Sequence, residues 1–177
     1  MKLSRYSVMP SPVGPLTLRA VENTLVGVYF ANARPLVERS TWTRDDAALA
    51  FARTALEEYF AGERETFDVP LAFEGTPFQV RVWQALRDIP FGTTTSYGEL
   101  ARRIGNASGQ SARAVGAANG QNPICIIVPC HRVIGADGSL TGFGGGLPRK
   151  KLLLAHEGRI DTRVSSAQTR LAFGAPR

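Results

Sequence analysis

The sequence predicts an α+β protein, with a small N-terminal antiparallel sheet and one covering helix, followed by a mostly helical C-terminal domain. Three observations lead to this fold class. Short β-prone runs fill the first 30 residues, and apolar residues recur with helical spacing further on. The two halves also differ in charge, with net −2 over residues 1–75 and net +6 over residues 76–160. We therefore expect domains at 1–75 and 76–160 and a loose tail at 161–177.

Composition excludes several classes of protein. With 44% hydrophobic and 20% charged residues, the 177-residue chain is typical of a globular protein. It has no long apolar run and no charged-then-apolar leader, so we expect a cytoplasmic protein with no membrane partner. Two cysteines are too few for a disulfide framework, and with two histidines a four-ligand zinc site would need carboxylates and both cysteines. We predict no metal and no cofactor.

The excess positive charge lies in the second half. Between Leu100 and Ala136 there are four arginines and no acidic residue. Such a face favours a polyanionic partner, although a solvated basic face without any partner explains the charge equally well.

The first half has the pattern of a small scaffold. Its β-prone runs are separated by turn residues, as in an antiparallel meander, and they cover residues 3–8, 16–21 and 25–30. Residues 45–60 then take helical spacing, with Asp45 and Asp46 in the predicted first turn. This half contains no catalytic constellation.

The second half begins with three predicted helices. Thr76-Pro77 starts the first, a Ser-x-x-Glu capping box at Ser96 starts the second, and residues 111–120 form the third. A polar turn at 106–110 completes a helix-turn-helix pattern. Many helix pairs without a nucleic-acid role share this pattern.

The third helix has an unusual composition. Apart from Arg113, Val115 and Asn119, all its residues are Gly, Ala or Ser, whereas a major-groove reader carries several long polar side chains. A helix of small residues can enter the minor groove, about 6 Å wide, with little sequence preference and with Arg113 as a protruding probe. Tight packing in a core explains the alanines but not the arginine.

The strongest chemical signal is Cys130-His131. An apolar run from Ile124 ends at Pro129, so a short buried strand or extended segment is expected to deliver the cysteine to a turn. A buried, inert cysteine is the ordinary alternative. Neighbouring side chains do not face each other, so His131 must act on Cys130 through the turn or a bridging water. Glu157, which follows an apolar helix, is the best third member.

A glycine-rich stretch, residues 140–147, follows the cysteine and is called the glycine loop below. Its glycines surround Phe143, as in a loop whose backbone lies close to a flat ligand; a flexible linker is the alternative. Pro148 then opens a last helix whose first turn carries Arg149, Lys150 and Lys151. Because these cations oppose the helix dipole, we expect an anion nearby.

Taken together, the motifs resemble those of O6-alkylguanine-DNA alkyltransferases. The resemblance spans residues 76–160 in one order, and the first half matches more loosely. It rests on Pro129-Cys130-His131-Arg132-Val133, Asn122-Pro123, Ser96-Tyr97, Arg113-Ala114-Val115-Gly116, and the glycine loop leading to Leu154-Ala155-His156-Glu157-Gly158.

The resemblance implies a protein that flips an O6-alkylguanine out of duplex DNA and moves the alkyl group irreversibly onto Cys130. It implies that His131 activates Cys130 through a water, that Glu157 orients His131, and that Asn122 braces the chain. Tyr97 would aid nucleotide rotation and give a proton to the departing base, and O4-alkylthymine would be a second substrate.

The same resemblance assigns the DNA and base contacts. The third helix would lie in the minor groove of double-stranded DNA, and Arg113 would fill the gap left in the base stack. The flipped base would lie near the Val133 carbonyl and the glycine loop. The implied DNA contacts are Tyr97, Ser111, Ala112, Arg113, Ala114 and Gly116, and the implied base contacts are Val133, Phe143, Gly144 and Gly145. We expect a monomer, with cooperative binding along DNA left open.

The sequence departs from some relatives. Phe143 stands where some members have tyrosine and Gly144 where some have serine, and both changes are expected to open the pocket. Cys125 stands where some relatives have a pocket proline; it is expected to serve packing, with off-path alkylation of this second thiol as the alternative. Two other functions stay open: a lesion sensor without transfer, whose known examples lack the cysteine, and a Cys-His hydrolase, which would leave Arg113 unused.

Overall fold

The fold was analysed in a computed structural model that describes residues 3–32, 39–105 and 111–158. These residues form two compact units. The first holds the described residues up to Phe73 together with Pro123–Ile127, and the second holds Glu74–Asn122 and the described residues from Val128 onward. The predicted turn at 106–110 and the tail at 161–177 lie outside the described residues.

The first unit is a four-stranded sheet with one helix. Strands β1 (Ser4–Met9), β2 (Leu16–Val21) and β3 (Thr24–Phe30) form the predicted antiparallel meander. A two-residue strand, β4 (Thr43–Arg44), pairs parallel to β1, so the sheet is mixed, in the order β3-β2-β1-β4. Apolar side chains of β2 alternate inward and are buried, and Ala52, Leu56 and Tyr59 of α1 are buried as well.

Two local predictions in this unit were wrong. Helix α1 covers Ala50–Ala61 and not 45–60, because Asp45 caps the preceding turn through Ala48 N and Asp46 accepts a bond from the Ser7 hydroxyl. The segment after Pro123 makes a single bridge to β3, between Val28 and Ile124. It cannot continue as a strand because Ile126 has a φ of 73°, in the left-handed region.

The second unit is mostly helical, as predicted. It contains α2 (Pro77–Arg87), α3 (Tyr97–Arg103), α4 (Ser111–Gly120) and α5 (Leu147–His156), with β5 (Thr95–Ser96) paired parallel to β6 (Val133–Ile134). Thr76 and Gln79 form a capping box at the start of α2, and Ser96 caps α3 by accepting a bond from Glu99 N. The α3–α4 pair packs side by side, and the Trp83 indole of α2 donates to the Ala118 carbonyl of α4.

The described helices include none that is long and apolar enough to cross a membrane. Within the same residues there is no group of three or more His, Cys, Asp or Glu side chains placed to bind a metal ion.

Candidate active site

Cys130 opens a single 3-10 turn, Cys130–Arg132, directly after Pro129. The turn is closed by a bond from Arg132 N to the Pro129 carbonyl, 3.0 Å long. The whole turn is buried, with Cys130 only 3% exposed. The side chains of His131 and Arg132 both reach the Glu157 carboxylate at the end of α5.

Glu157, the residue after α5, accepts hydrogen bonds from both of these side chains. Nε2 of His131 lies 2.8 Å from Oε1 of Glu157. The Arg132 guanidinium grips the same carboxylate with two bonds of 2.9 Å, from Nε to Oε2 and from Nη2 to Oε1. Gly92 N adds a fourth bond at 3.2 Å, and Arg132 Nη1 also donates to the Ile89 carbonyl. The cluster is therefore a buried, bidentate ion pair with a histidine attached.

Burial and the charges in this cluster set the protonation state of His131. Burial alone would raise the pKa of Glu157, but hydrogen bonds and charge from His131 and Arg132 outweigh it and hold that pKa well below its ordinary value of 4.5. Burial lowers the pKa of His131, and the charges of Arg132 and Lys150 add to that effect against the pull of Glu157. Because an ionised carboxylate can only accept, Nε2 carries the proton and Nδ1 of the neutral ring is a basic acceptor. Nδ1 is buried and has no hydrogen-bond partner among the residues that the structure describes.

Two asparagines hold the chain around the cysteine. Asn122, predicted from the sequence, donates from Nδ2 to the Val128 carbonyl at 2.8 Å. Asn119, near the C-terminal end of α4, donates from Nδ2 to the Cys130 carbonyl itself at 3.4 Å and is 2% exposed. Asn119 was not predicted from the sequence, although it is a lone amide on the helical face of α4 that carries buried Val115.

Tyr97 joins α3 to the glycine loop. Its hydroxyl lies 2.8 Å from the Thr141 carbonyl and 3.1 Å from the Gly142 carbonyl. Its ring packs against α4 at Gly116, where a Cβ would lie 3.7 Å from the ring. Burial raises the pKa of Tyr97, which therefore keeps its proton at neutral pH.

The burial of Lys150 was not predicted from the sequence. Its side chain is fully buried, and Nζ donates to the Val133 carbonyl at 2.5 Å and to the Thr141 carbonyl at 2.8 Å. Burial lowers its pKa to about 8, partly offset by the nearby Cys130. The neighbouring Arg149 donates to the Gly145 carbonyl at 2.9 Å. These two cations thus bind backbone carbonyls, and the anion expected near this helix stays a prediction. The sequence carried one sign of this burial: Lys150 lies three and four residues before buried Leu153 and Leu154, on the same face of α5.

The remaining predicted residues lie on two elements. Ala112, Arg113 and Ala114 are exposed on α4 and Gly116 is half-buried there; Ser111 begins the helix, and its side chain lies outside what is described. Val133 is buried on β6. In the glycine loop Phe143 is half-buried, Gly144 exposed and Gly145 buried. The pocket-opening effect expected of Gly144 meets a constraint here, because a Cβ at Gly144 would lie 2.9 Å from the Gly120 carbonyl oxygen.

Comparison with known proteins settles the family. Residues 77–159 match the DNA-binding domain of 6-O-methylguanine DNA methyltransferase, and residues 4–73 match the ribonuclease-like domain of the same protein. The chain belongs to the 6-O-methylguanine DNA methyltransferase family. This confirms the resemblance found in the sequence, and the first half also matches the family.

Members of the methyltransferase family cover nearly the whole chain. A methylated-DNA–protein-cysteine methyltransferase of Mycobacterium tuberculosis is 53% identical over 152 residues, 86% of this chain and 91% of that protein. One from Methanosarcina acetivorans is 49% identical over 154 residues, 86% of this chain and 97% of its own. Among solved structures, the M. tuberculosis OGT in complex with DNA is similar with a TM-score of 0.83 and 48% identity, covering 96% of this chain and 98% of that one. The α+β fold class is thereby confirmed.

Proposed function

We propose that this protein repairs DNA by transferring an alkyl group from O6-alkylguanine, and from O4-alkylthymine, in duplex DNA to its own Cys130. Relatives about half identical over most of the chain carry the name methylated-DNA–protein-cysteine methyltransferase, and a similar structure holds DNA. The observation that carries the proposal is a buried cysteine followed by a neutral histidine whose Nδ1 is basic, held by a buried Arg132–Glu157 pair.

The chemistry assigns one task to each residue. Nδ1 of His131, through a water, takes the Cys130 proton, and Glu157 fixes the ring through Nε2. The thiolate sulfur then attacks the alkyl carbon, so that a C–S bond forms while the C–O6 bond breaks and its electrons pass to the base. Tyr97 gives its proton to the departing guanine ring, and the proton that His131 took from Cys130 returns through water to the Tyr97 oxygen. The product is a thioether whose C–S bond is not readily cleaved, so each molecule acts once, without a cofactor or a metal ion.

DNA recognition falls to α4. Its exposed small residues, Ala112 and Ala114, allow the helix to approach the minor groove, where binding has little sequence preference. Exposed Arg113 would fill the space that the flipped base leaves in the stack, and Ser111, Gly116 and Tyr97 would contact the backbone around it. We expect Arg113→Ala to weaken binding to lesion-bearing duplex about tenfold, since a lost stacking contact is worth ~1–3 kcal/mol. Exposed Arg81→Ala, which loses the same charge on α2, is the control in a gel-shift titration.

The flipped base would lie beside the glycine loop. Phe143 offers a flat contact, and Gly144 and Gly145 offer backbone N–H groups. The Val133 carbonyl contacts the base amino group while still accepting from Lys150, because a carbonyl oxygen has two lone pairs. The protein would work as a cytoplasmic monomer, with residues 1–75 as the scaffold domain and 76–160 as the transfer domain.

The two rival functions are not favoured. A lesion sensor has no use for a cysteine at position 130, and a Cys-His hydrolase has no use for the exposed Arg113 or for a DNA-binding domain at residues 77–159.

Peptide mass spectrometry after incubation with duplex DNA carrying one O6-methylguanine tests the proposal. We expect a gain of one methylene on Cys130, saturating at one per protein and absent in Cys130→Ala. The Cys125→Ala variant, which removes the other thiol, should still gain it. Tight lesion binding without any mass gain would indicate a sensor, and repeated turnover would indicate a hydrolase.

A further inference from the structure

The C-terminal end of α4 contacts both Cys130 and the glycine loop, the two segments between which the proposed transfer takes place. Asn119 donates to the carbonyl of Cys130, and the carbonyl oxygen of the next residue, Gly120, faces Gly144 in the glycine loop. Tyr97 adds a second link of the same kind, since its ring lies on Gly116 of α4 and its hydroxyl bonds the loop carbonyls at 141 and 142. The acceptor cysteine and the loop are thus both supported by α4.

The backbone at Gly144 lies too close to the Gly120 carbonyl to admit a side chain without a shift. A Cβ there would lie 2.9 Å from the Gly120 oxygen, whereas ordinary contact begins at 3.4 Å. The obstacle is backbone, held in the last turn of a helix that Trp83 also bonds at the Ala118 carbonyl, and so cannot swing aside as a flexible side chain can. Any side chain at position 144 must therefore push the loop away from α4 by about half an ångström.

We propose that the last turn of α4, through Asn119 and Gly120, sets the distance between Cys130 and the glycine loop and thereby selects small alkyl groups over bulky ones. Glycine at position 144 keeps that distance short. The two residues are positioning residues, acting on the cysteine and the loop rather than on the substrate. This inference rests on the proposed alkyl transfer to Cys130 and adds to it a determinant of alkyl size.

The test compares single-turnover rates of Cys130 alkylation by one duplex carrying either O6-methylguanine or O6-benzylguanine. A misplacement of 1 Å costs about 100-fold in rate, so half of that predicts about a tenfold slower methyl transfer in Gly144→Ala. Benzyl transfer should fall less, because the wider space favours the larger group, and the benzyl-to-methyl ratio rises. Gly98→Ala, a helical glycine with nothing within 4 Å of its Cβ position, should leave the ratio unchanged.

Asn119→Ala is a second variant for the same rate comparison, and it tests the proposal if Gly144→Ala does not fold. The Cys130 carbonyl then keeps its bond from Val133 N, but the cysteine is no longer tied to α4 through Asn119, and the ratio should again rise. Equal falls in both rates, or no change in either variant, would overturn the proposal. A wild-type protein that gains neither group on Cys130 would overturn the proposed function itself.

Discussion

Replacing Glu157 by glutamine tests the buried cluster directly. The amide keeps the shape of the carboxylate but leaves the Arg132 guanidinium buried without its counter-charge. Its NH2 group also faces two hydrogen-bond donors in either orientation, from His131 and Arg132 or from Arg132 and Gly92. Removing one partner of a buried ion pair costs about 3–5 kcal/mol. For a chain of this size the loss corresponds to a fall of about 10 °C in Tm.

The chain offers a matched control. Glu99 on α3 pairs with Arg103 at 3.1 Å, but both side chains are about half exposed. An exposed pair of this kind contributes about 0.5 kcal/mol or less. Urea denaturation at pH 7 of Glu157→Gln and Glu99→Gln therefore compares the same chemical change at a buried and at an exposed site. Similar small losses in the two variants would refute the importance of the buried pair.

The same variant changes the response to acid. Because the folded-state pKa of Glu157 lies below its ordinary 4.5, the stability that this group contributes is complete above about pH 4.5 and is lost as the pH falls further. His131 also has a lowered pKa, so acid destabilises the protein through that ring from about pH 6.5 downward. Glu157→Gln should lack the portion of the loss below pH 4.5. An unchanged acid profile would contradict the assignment of an ionised Glu157.

Two further substitutions test the lysine and the helix cap. Lys150 has a folded-state pKa of about 8 against an ordinary 10.5, so the unfolded chain binds more protons between these values and stability should rise by about 2 kcal/mol from pH 8 to pH 10. Lys150→Met should abolish that rise in Tm and exposed Lys151→Met should retain it; a rise in both would assign it elsewhere. Thr76→Ala removes the capping box of α2 and should cost about 1 kcal/mol in urea unfolding. Exposed Thr54→Ala, inside α1, should cost nothing, and equal effects would argue against the cap.

Local sequence patterns predicted most of the secondary structure. The three strands of the meander and the helices α2, α3, α4 and α5 were found from alternation, helical spacing and capping residues, because these patterns depend on neighbours within about four residues. The same local reasoning failed where a side chain changed the backbone. Asp45 delayed the start of α1 by capping a turn, and the left-handed Ile126 ended an apolar run that had the composition of a strand.

The sequence by itself determined the family and proposed Cys130, His131 and Glu157 as a group, since several linked motifs occur in one order. Only the tertiary structure revealed that Arg132 holds Glu157, that Lys150 is buried on two backbone carbonyls, and that Asn119 bonds the Cys130 carbonyl. The physical reason is that each of these contacts joins residues that are 9 to 25 positions apart in the chain. No helical or strand period extends over such a separation, so the partner of a buried charge or amide is fixed by how the elements pack.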